Sequence, residues 1–310
     1  MLAHPGVHYT AHMSLTGVCP IALTPFTDEG DVDLWGIDSL AGLYLDSGVY
    51  GLTILGIMGE AHKLSDAERS MVVGRYIEAA RDRVPVVVGC SAVATKVTVE
   101  RAREAETAGA AAIMVAPPNN IRNLDLVFEH YRRVAEAVSV PVVVQDEPVN
   151  TGVVMPAPFI ARVINEIEGC RYVKLEEAPT TIKITNLIEK IEDPDKRAGI
   201  FGGLGGMYFY EELARGAVGI MTGFAYQEIL VRTYELFSEG REREAREYFF
   251  RYLPLVRFEA QLGVGGVGIR KENFRMRGAI SSSHLRFPAP TLDERTLREL
   301  EELVALLGLG

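Results

Sequence analysis

The chain alternates short, uniformly apolar runs with longer amphipathic segments, and this alternation constrains its fold more than any other feature. Strands that are apolar throughout are typical of parallel sheets covered on both faces. We predict strands over Val18–Leu23, Gly51–Leu55, Val84–Gly89, Ala111–Val115, Val140–Gln145, Tyr172–Leu175, Gly199–Phe201 and Ala217–Met221. The helical period of the intervening segments predicts helices over Leu34–Asp46, Ser65–Arg81, Lys96–Ala108, Asp125–Val138, Pro158–Ile167 and Thr181–Ile191.

Eight strand–helix units in about 220 residues predict an α/β fold, a closed (β/α)8 TIM barrel, rather than an open sheet. The main alternative is a doubly wound fold, but no Gly-x-Gly-x-x-Gly turn follows the first strand. Additional C-terminal helices are predicted over Gln227–Glu239, Glu242–Gln261, Arg270–Arg277 and Asp293–Leu307. We therefore predict a loose leader at 1–13, the barrel at 14–225, and a helical extension packed on the barrel at 226–310.

Composition and charge exclude several classes of partner. The formal net charge is -10 and no basic stripe stands out, which argues against nucleic acid and anionic membranes. No apolar stretch reaches the roughly 18 residues of a spanning helix. The three cysteines, Cys19, Cys90 and Cys170, are widely spaced in apolar runs, so we expect buried, reduced thiols and a cytoplasmic location. We attribute the four-residue spacing of His4, His8 and His12 to chance rather than to a metal site.

The candidate nucleophile is Lys174, which ends the predicted sixth strand. Reactive groups of an α/β barrel gather at the carboxyl ends of its strands. An ammonium group removed from water loses its proton more easily, and the free amine can attack a carbonyl carbon. The alternative is a structural lysine paired with Glu176 or Glu177. No His, Cys and acidic residues at these strand ends have metal-ligand spacing, and no Ser-His-Asp triad can be assembled, so we expect neither metal nor cofactor.

Glycine-rich segments end the seventh and eighth strands, at Gly202–Gly206 and Met221–Gly223. They predict either a phosphate cradle or a backbone that approaches a carboxylate. Glu176, two residues beyond Lys174, points to the same side of a regular strand. It either holds the ammonium group and orients a water molecule, or forms a structural ion pair. Gln145 ends the fifth strand, where its alternative role is a hydrogen bond to the backbone.

A wider pattern joins these strand ends. It comprises Gly48–Gly51, Leu55–Glu60, Leu64-Ser65, Val84–Gly89, Ala108–Ala110, Pro141–Gly152, Val173-Lys174 and Gly216–Gly219. These segments, in this order, resemble the dihydrodipicolinate synthase and N-acetylneuraminate lyase family. The resemblance implies a (β/α)8 barrel with C-terminal helices and a homotetramer. It also implies a sixth-strand lysine that forms a Schiff base with a 2-keto acid, and Lys174 occupies that position.

Departures from the synthase pattern are as informative as the match. The synthase branch has two threonines in the second-strand loop, where this chain has Ile57 and Met58. Its proton-shuttling tyrosine on the fifth strand is replaced by Gln145, and a glutamine cannot deliver a proton as a phenol can. Its substrate-gripping arginine and its tyrosine pair are matched by Asn150, Pro118 and Asn119. The fifth-strand and sixth-strand ends resemble instead the 2-keto-3-deoxy sugar-acid dehydratase branch.

We therefore predict a Schiff-base-forming lyase that dehydrates or cleaves a 2-keto-3-deoxy sugar acid. Its predicted catalytic residues are Lys174, Gln145 and Glu176, and its predicted substrate-binding residues are Gly56, Ile57, Met58, Gly59, Gly203, Leu204 and Thr222. Glu60 is expected to fix its own loop. The alternatives are dihydrodipicolinate synthesis, hydratase-aldolase activity on arylidene pyruvates, and a catalytically retired barrel that binds a keto acid or a protein.

Overall fold

The computed structural model of the chain describes residues 15–192, 199–261 and 264–309. The leader predicted at 1–13, with His4, His8 and His12, lies outside the described residues. Among the described residues, no helix is both long and apolar enough to cross a membrane. The same ranges contain no group of three or more His, Cys, Asp or Glu that could hold a metal ion.

Eight parallel strands form a single curled sheet in the order β1-β8-β7-β6-β5-β4-β3-β2. They are β1 Gly17–Val18, β2 Leu52–Ile54, β3 Val86–Gly89, β4 Ala112–Val115, β5 Val142–Asp146, β6 Cys170–Leu175, β7 Gly199–Gly202 and β8 Gly219–Ile220. A parallel bridge between Ile21 and Thr53 joins the two edge strands. The Thr53 amide donates to Pro20 O, and the Ala22 amide donates to Thr53 O, both at 2.8 Å. This topology is consistent with the predicted (β/α)8 barrel.

Helices alternate with the strands and then continue beyond them. Those between strands are α1 Leu34–Asp46, α2 Asp66–Ala80, α3 Thr95–Ala108, α4 Leu124–Ala135, α5 Pro148–Thr151, α6 Ala157–Glu166, α7 Thr180–Ile188 and α8 Phe209–Ala214. The C-terminal helices are α9 Gln227–Ser238, α10 Glu242–Glu259, α11 Val264–Met276 and α12 Glu294–Leu306. Each predicted helix is found within a few residues of its expected bounds, except that α11 begins earlier. The short α5 and α8 were not predicted.

Two apolar layers explain why the strands are apolar throughout. Alternate strand residues point to opposite faces, so Val86 and Val88 pack against the surrounding helices, while Val87 packs inside the sheet. The inner layer comprises Leu15, Cys19, Ile21, Val87, Ala112, Met114, Val143, Phe201 and Met221. All three cysteines are free and buried, as predicted, and burial raises the pKa of each thiol to about 12.

The C-terminal helices are anchored to the loop that follows β2. Lys271 of α11 is fully buried, and its Nζ lies 2.7 Å from Glu60 Oε1. It also donates to His284 O at 2.8 Å and lies 4.2 Å from the centre of the Phe26 ring. Glu60 Oε2 pairs with Lys63 at 2.8 Å. These contacts hold α11 close to the carboxyl ends of the strands, where the candidate site lies.

Candidate active site

Lys174 lies near the end of β6 and is 5% exposed. It is in register with Gln145 of β5 and with Phe201 of β7. Tyr172, two residues earlier on the same face of the strand, packs against the inner apolar layer. The Lys174 side chain therefore lies above that layer, at the edge where the strands end. We call this edge, with the loops that follow β2, β5, β6, β7 and β8, the carboxyl edge.

Glu176 joins the other two predicted catalytic residues. Its Oε1 lies 2.7 Å from Lys174 Nζ and accepts a hydrogen bond of 2.9 Å from Gln145 Nε2. The Glu176 amide donates to Asp146 O at 2.9 Å, which fixes the backbone just beyond the strand. A nucleophile and a carboxylate within hydrogen-bond distance form an acid–base pair, since the carboxylate can accept the proton that the amine must lose.

Gly203 makes room for this carboxylate. A Cβ on Gly203 would stand only 2.3 Å from Glu176 Cγ, so no larger residue fits while Glu176 keeps its position. The following turn, Leu204–Gly206, requires glycine as well. Gly205 has a φ of +66°, and a Cβ there would stand 2.3 Å from the Cβ of Ala260. The glycines after β7 therefore serve close packing around Glu176 and α10.

The loop after β2 presents unpaired backbone donors. Residues Ile57–Gly59 form a single 3-10 turn, closed by the Gly59 amide donating to Gly56 O at 3.1 Å. No described group accepts a hydrogen bond from the amides of Ile57 and Met58. Glu60 has a φ of +49° and is buried in its pairs with Lys63 and Lys271, in agreement with its expected role in fixing the loop.

Thr222, at the end of β8, carries another free polar group. The residue is 3% exposed, and its Oγ1 has no hydrogen-bond partner among the described residues. Its backbone oxygen accepts from the Ile21 amide at 3.0 Å. The hydroxyl group is therefore buried with an unfilled hydrogen-bonding capacity.

Comparison with known proteins identifies the family. The sequence pattern of the Dihydrodipicolinate synthetase family matches residues 14–306. The chain belongs to this family.

Relatives in the dihydrodipicolinate synthetase family differ in their reactions. An L-2-keto-3-deoxyarabonate dehydratase from Azospirillum brasilense is 32% identical over 288 residues, covering 92% of this chain and 92% of the relative. A 4-hydroxy-tetrahydrodipicolinate synthase from Methanothrix thermoacetophila is 31% identical over 297 residues, covering 94% of this chain and 97% of the relative. The crystal structure of dihydrodipicolinate synthase from Rhodopseudomonas palustris has a TM-score of 0.88 and 37% identity, covering 94% of this chain and 97% of that one.

Membership in the dihydrodipicolinate synthetase family makes this protein an enzyme, a lyase of the class I aldolase type that acts on a 2-keto acid through a Schiff base. This outcome agrees with the predicted function. The resemblance to the dehydratase branch is also supported, since a sugar-acid dehydratase is among the similar relatives.

Sequence reasoning missed two buried carboxyl groups at the end of β5, Asp146 and Glu147. Asp146 is fully buried and pairs with Lys183 Nζ at 2.6 Å; burial nevertheless raises its pKa to about 6. Glu147 is 6% exposed and accepts from the Asn150 amide at 2.8 Å, and burial raises its pKa too. The charges of Lys174 and Glu176 both act on Glu147. Asp146 and Glu147 are adjacent in the sequence, but the burial of their carboxyl groups could not be predicted from it.

Arg270 is the other residue that was missed. It lies on α11, is 5% exposed, and reaches the loop after β2, where its Nη1 is 2.8 Å from Met58 Sδ. In the sequence, Arg270 and Lys271 follow an apolar, glycine-rich run, which is an unusual setting for a solvated charge. That run was the one signal that could have placed them in the interior.

Proposed function

We propose that this protein dehydrates a 2-keto-3-deoxy sugar acid through an imine on Lys174. The observation that carries the proposal is the buried Lys174 Nζ, 2.7 Å from a carboxylate oxygen that Gln145 also contacts. We further propose that the curled sheet is a closed (β/α)8 barrel whose reaction takes place at the carboxyl edge. The Ile21–Thr53 bridge and the position of Lys174 support this assignment.

The first step joins the enzyme and the substrate. Lys174 passes a proton to Glu176, and the free amine attacks C2 of the keto acid; loss of water then leaves a protonated imine. The positive nitrogen draws electrons from the substrate, so that a proton on C3 becomes acidic. The same carboxylate that activates the lysine lies within reach of the imine.

Dehydration follows from the acidity of C3. A base removes the C3 proton, the C3 electron pair forms a double bond to C4, and the C4 hydroxyl leaves as water after taking up a proton. Hydrolysis of the imine then releases the product and restores Lys174. We assign the proton transfers to Glu176, because an ionised carboxylate accepts a proton readily, whereas the Gln145 amide neither gains nor loses one near neutral pH.

The substrate-binding residues form the rim of the same edge. The free amides of Ile57 and Met58, with the Gly56–Gly59 turn around them, are suited to an anionic group. The turn containing Gly203 and Leu204 packs against Glu176, and the Thr222 hydroxyl adds a donor. Backbone donors explain how Ile57 and Met58 can serve in binding despite their apolar side chains.

Substitutions in the synthase pattern support dehydration over lysine-pathway synthesis. Gln145 stands where the synthase has its proton-shuttling tyrosine, and Asn150 where it has its arginine. The similarity to an L-2-keto-3-deoxyarabonate dehydratase supports the same choice. One observation favours a second candidate: Ile57 is 38% exposed on this rim, which would accommodate the apolar aldehyde part of an arylidene pyruvate.

The test is product analysis on a panel of 2-keto-3-deoxy acids, an arylidene pyruvate, and pyruvate with aspartate semialdehyde. We expect a dehydrated product, with no pyruvate, from at least one sugar acid, and no turnover by Lys174→Ala. Pyruvate release would mean retro-aldol cleavage. Turnover of the arylidene pyruvate alone would establish the hydratase-aldolase, and no turnover of any compound would end the proposal.

We also propose that the protein is cytoplasmic and forms a homotetramer, as its family resemblance implies. Three free, buried thiols support a reducing compartment. Size-exclusion chromatography with light scattering should give four times the chain mass of 34.0 kDa, and a monomer would contradict the proposal.

A further inference from the structure

Arg270 connects the C-terminal helices with three loops of the carboxyl edge. Its Nη1 touches Met58 Sδ, in the loop after β2, at 2.8 Å. A Cβ placed on Gly205, after β7, would stand 3.4 Å from Arg270 Nη2. One placed on Gly223, after β8, would stand 3.5 Å from Arg270 Cδ and 3.0 Å from Met58 Cγ. The guanidinium group is thus packed among the loops that surround the proposed imine.

This buried cation is incompletely paired. The one carboxylate within 4.0 Å among the described residues is Glu259, whose Oε2 lies 3.6 Å from Arg270 Nε. The Nε atom is buried with no hydrogen-bond partner among the described residues, and the Met58 sulfur that Nη1 contacts is a weak acceptor. A guanidinium group has five donors, and burying them without acceptors is costly.

Glu259 does not fully balance the charge. The carboxyl group is completely buried and already accepts from the Ala225 amide at 3.0 Å and from the Asn273 side chain. Burial raises the pKa of Glu259 to about 7, so a fraction of it is neutral near physiological pH. Burial lowers the pKa of Arg270, while the charges of Glu259 and Glu176 act in the opposite direction, which brings Arg270 within electrostatic reach of the lysine–glutamate pair.

Other unfilled donors lie in the segments that contact Arg270. The Ile57 and Met58 amides begin the turn whose Met58 side chain touches Arg270. The Thr222 hydroxyl, next to Gly223, is buried without a partner among the described residues. These donors come from three neighbouring segments, and the acceptors that the described residues place beside Arg270 are the Met58 sulfur and Glu259. Several donors with few acceptors form the arrangement that binds an anion.

We infer that Arg270 is a substrate-binding residue that, with the Ile57 and Met58 amides and the Thr222 hydroxyl, binds the carboxylate of the 2-keto acid. The inference rests on the proposed function, and it assigns the substrate's charge to a helix outside the eight strand–helix units. The carboxylate is the one charged group of a 2-keto-3-deoxy sugar acid. Its forked oxygens match the planar donors of arginine, which would fix C2 in front of Lys174.

The test compares pyruvate with pyruvamide, its uncharged analogue. Binding of both to Lys174→Ala is measured by calorimetry, since this variant keeps the proposed anion site but cannot form an imine. We expect Lys174→Ala to prefer pyruvate, and Lys174→Ala/Arg270→Gln to lose pyruvate affinity by about 10- to 100-fold with little change for pyruvamide. Adding Arg270→Lys to Lys174→Ala, which keeps the positive charge but not the planar guanidinium donors, should give a pyruvate affinity between those of these two variants. Arg275→Gln, a half-exposed arginine paired with Glu272 on the same helix, is the matched control.

Each outcome decides the inference. Equal loss of both ligands in the Arg270→Gln background would show a structural role and overturn it, as would the absence of any preference for pyruvate in Lys174→Ala. Borohydride trapping of wild-type enzyme separates the two proposals. A charge preference that depends on Arg270, without a trapped adduct, would support the anion site and refute the imine. A trapped adduct that forms equally well in Arg270→Gln would support the imine and refute the anion site.

Discussion

At the scale of single residues, the proposed imine chemistry depends on one carboxylate oxygen, Glu176 Oε1. Glu176 Oε1 contacts both Lys174 Nζ and Gln145 Nε2, so a single carboxylate orients the proposed nucleophile and is held in turn by the amide. Gln145 cannot carry a proton, but it can keep Glu176 in one position. We propose that the tyrosine function of the synthase is divided here between the positioning amide of Gln145 and the proton-accepting carboxylate of Glu176.

Glu176→Gln tests this division. The substitution keeps the shape of the side chain but removes the proton acceptor, so we expect kcat on the preferred sugar acid to fall by about 10²- to 10⁴-fold with a smaller change in KM. Glu177→Gln is the matched control, because the neighbouring carboxyl pairs with Lys183. A comparable loss of kcat in both variants would mean that Glu176 acts through structure alone.

The contact between Lys174 and Glu176 could be predicted from the sequence, because Glu176 directly follows the strand that holds Lys174 and a spacing of two puts the two side chains on the same side. Gln145, predicted to end the neighbouring strand, lies one residue before its end and in register with Lys174. The sequence alone was not sufficient for Arg270, which is 96 residues beyond Lys174 and lies in a helix predicted to be an appendage. No local pattern connects these two residues; only the packing of α11 against the carboxyl edge does.

At the scale of elements, helices were easier to predict than strands. Helix α1 has the predicted bounds. Its amphipathic period marks the buried face of the helix, and the Asp33 cap marks its first residue. Most strands are shorter than predicted: β8 is Gly219–Ile220 where Ala217–Met221 was expected, whereas β6 and β7 are slightly longer than predicted. An apolar run includes residues that are buried but form no strand pairing, so apolar character alone overestimates the length of the strand. Helix α8 has only six residues, too few to display a period.

Ser65→Ala tests the capping box of α2. Ser65 Oγ accepts from the Glu68 amide at 3.3 Å, and Glu68 Oε2 accepts from the Ser65 amide at 2.8 Å. Loss of the hydroxyl should lower the free energy of unfolding in urea by about 1 kcal/mol, with turnover unchanged. Ser70→Ala, in the same helix, removes only a hydroxyl bonded to Asp66 O and should change stability by less than about 0.5 kcal/mol. Equal effects would refute the cap.

At the scale of the whole molecule, buried carboxyl groups link stability to pH. Glu212 of α8 is 1% exposed, accepts from Thr180 Oγ1 at 2.6 Å, and lies against Gly202 of β7. Burial raises its pKa from 4.5 to about 7. Because the folded state holds this proton more tightly than the unfolded state, the stabilisation is complete below about pH 4.5 and is lost as the pH rises to about 7.

Glu212→Gln should remove this pH dependence, since glutamine mimics the protonated acid. Relative to the wild type, the variant should gain up to about 3 kcal/mol of unfolding free energy between pH 5 and pH 8, measured with urea at each pH. The exposed Glu104→Gln controls for the change in net charge. A difference between Glu212→Gln and wild type that stays constant with pH would contradict the assignment.

The C-terminal helices complete the catalytic end of the molecule. Lys271 ties α11 to Glu60 in the loop after β2, while the adjacent Arg270 reaches the same loop at Met58. The extension is thus coupled to the site through two consecutive residues that point to different parts of one loop. This coupling is a property of the assembled fold, which is why the separate elements did not reveal it.

The central claim is that Lys174 forms an imine with a 2-keto acid, and reductive trapping tests it most directly. Wild-type enzyme treated with pyruvate and borohydride should gain the mass of pyruvic acid less one oxygen atom, because imine formation expels water and reduction adds two hydrogens. Peptide mass spectrometry should locate this gain on Lys174, and Lys174→Ala should gain nothing. An adduct on another lysine, or an unmodified wild-type enzyme that still turns over substrate, would contradict the claim.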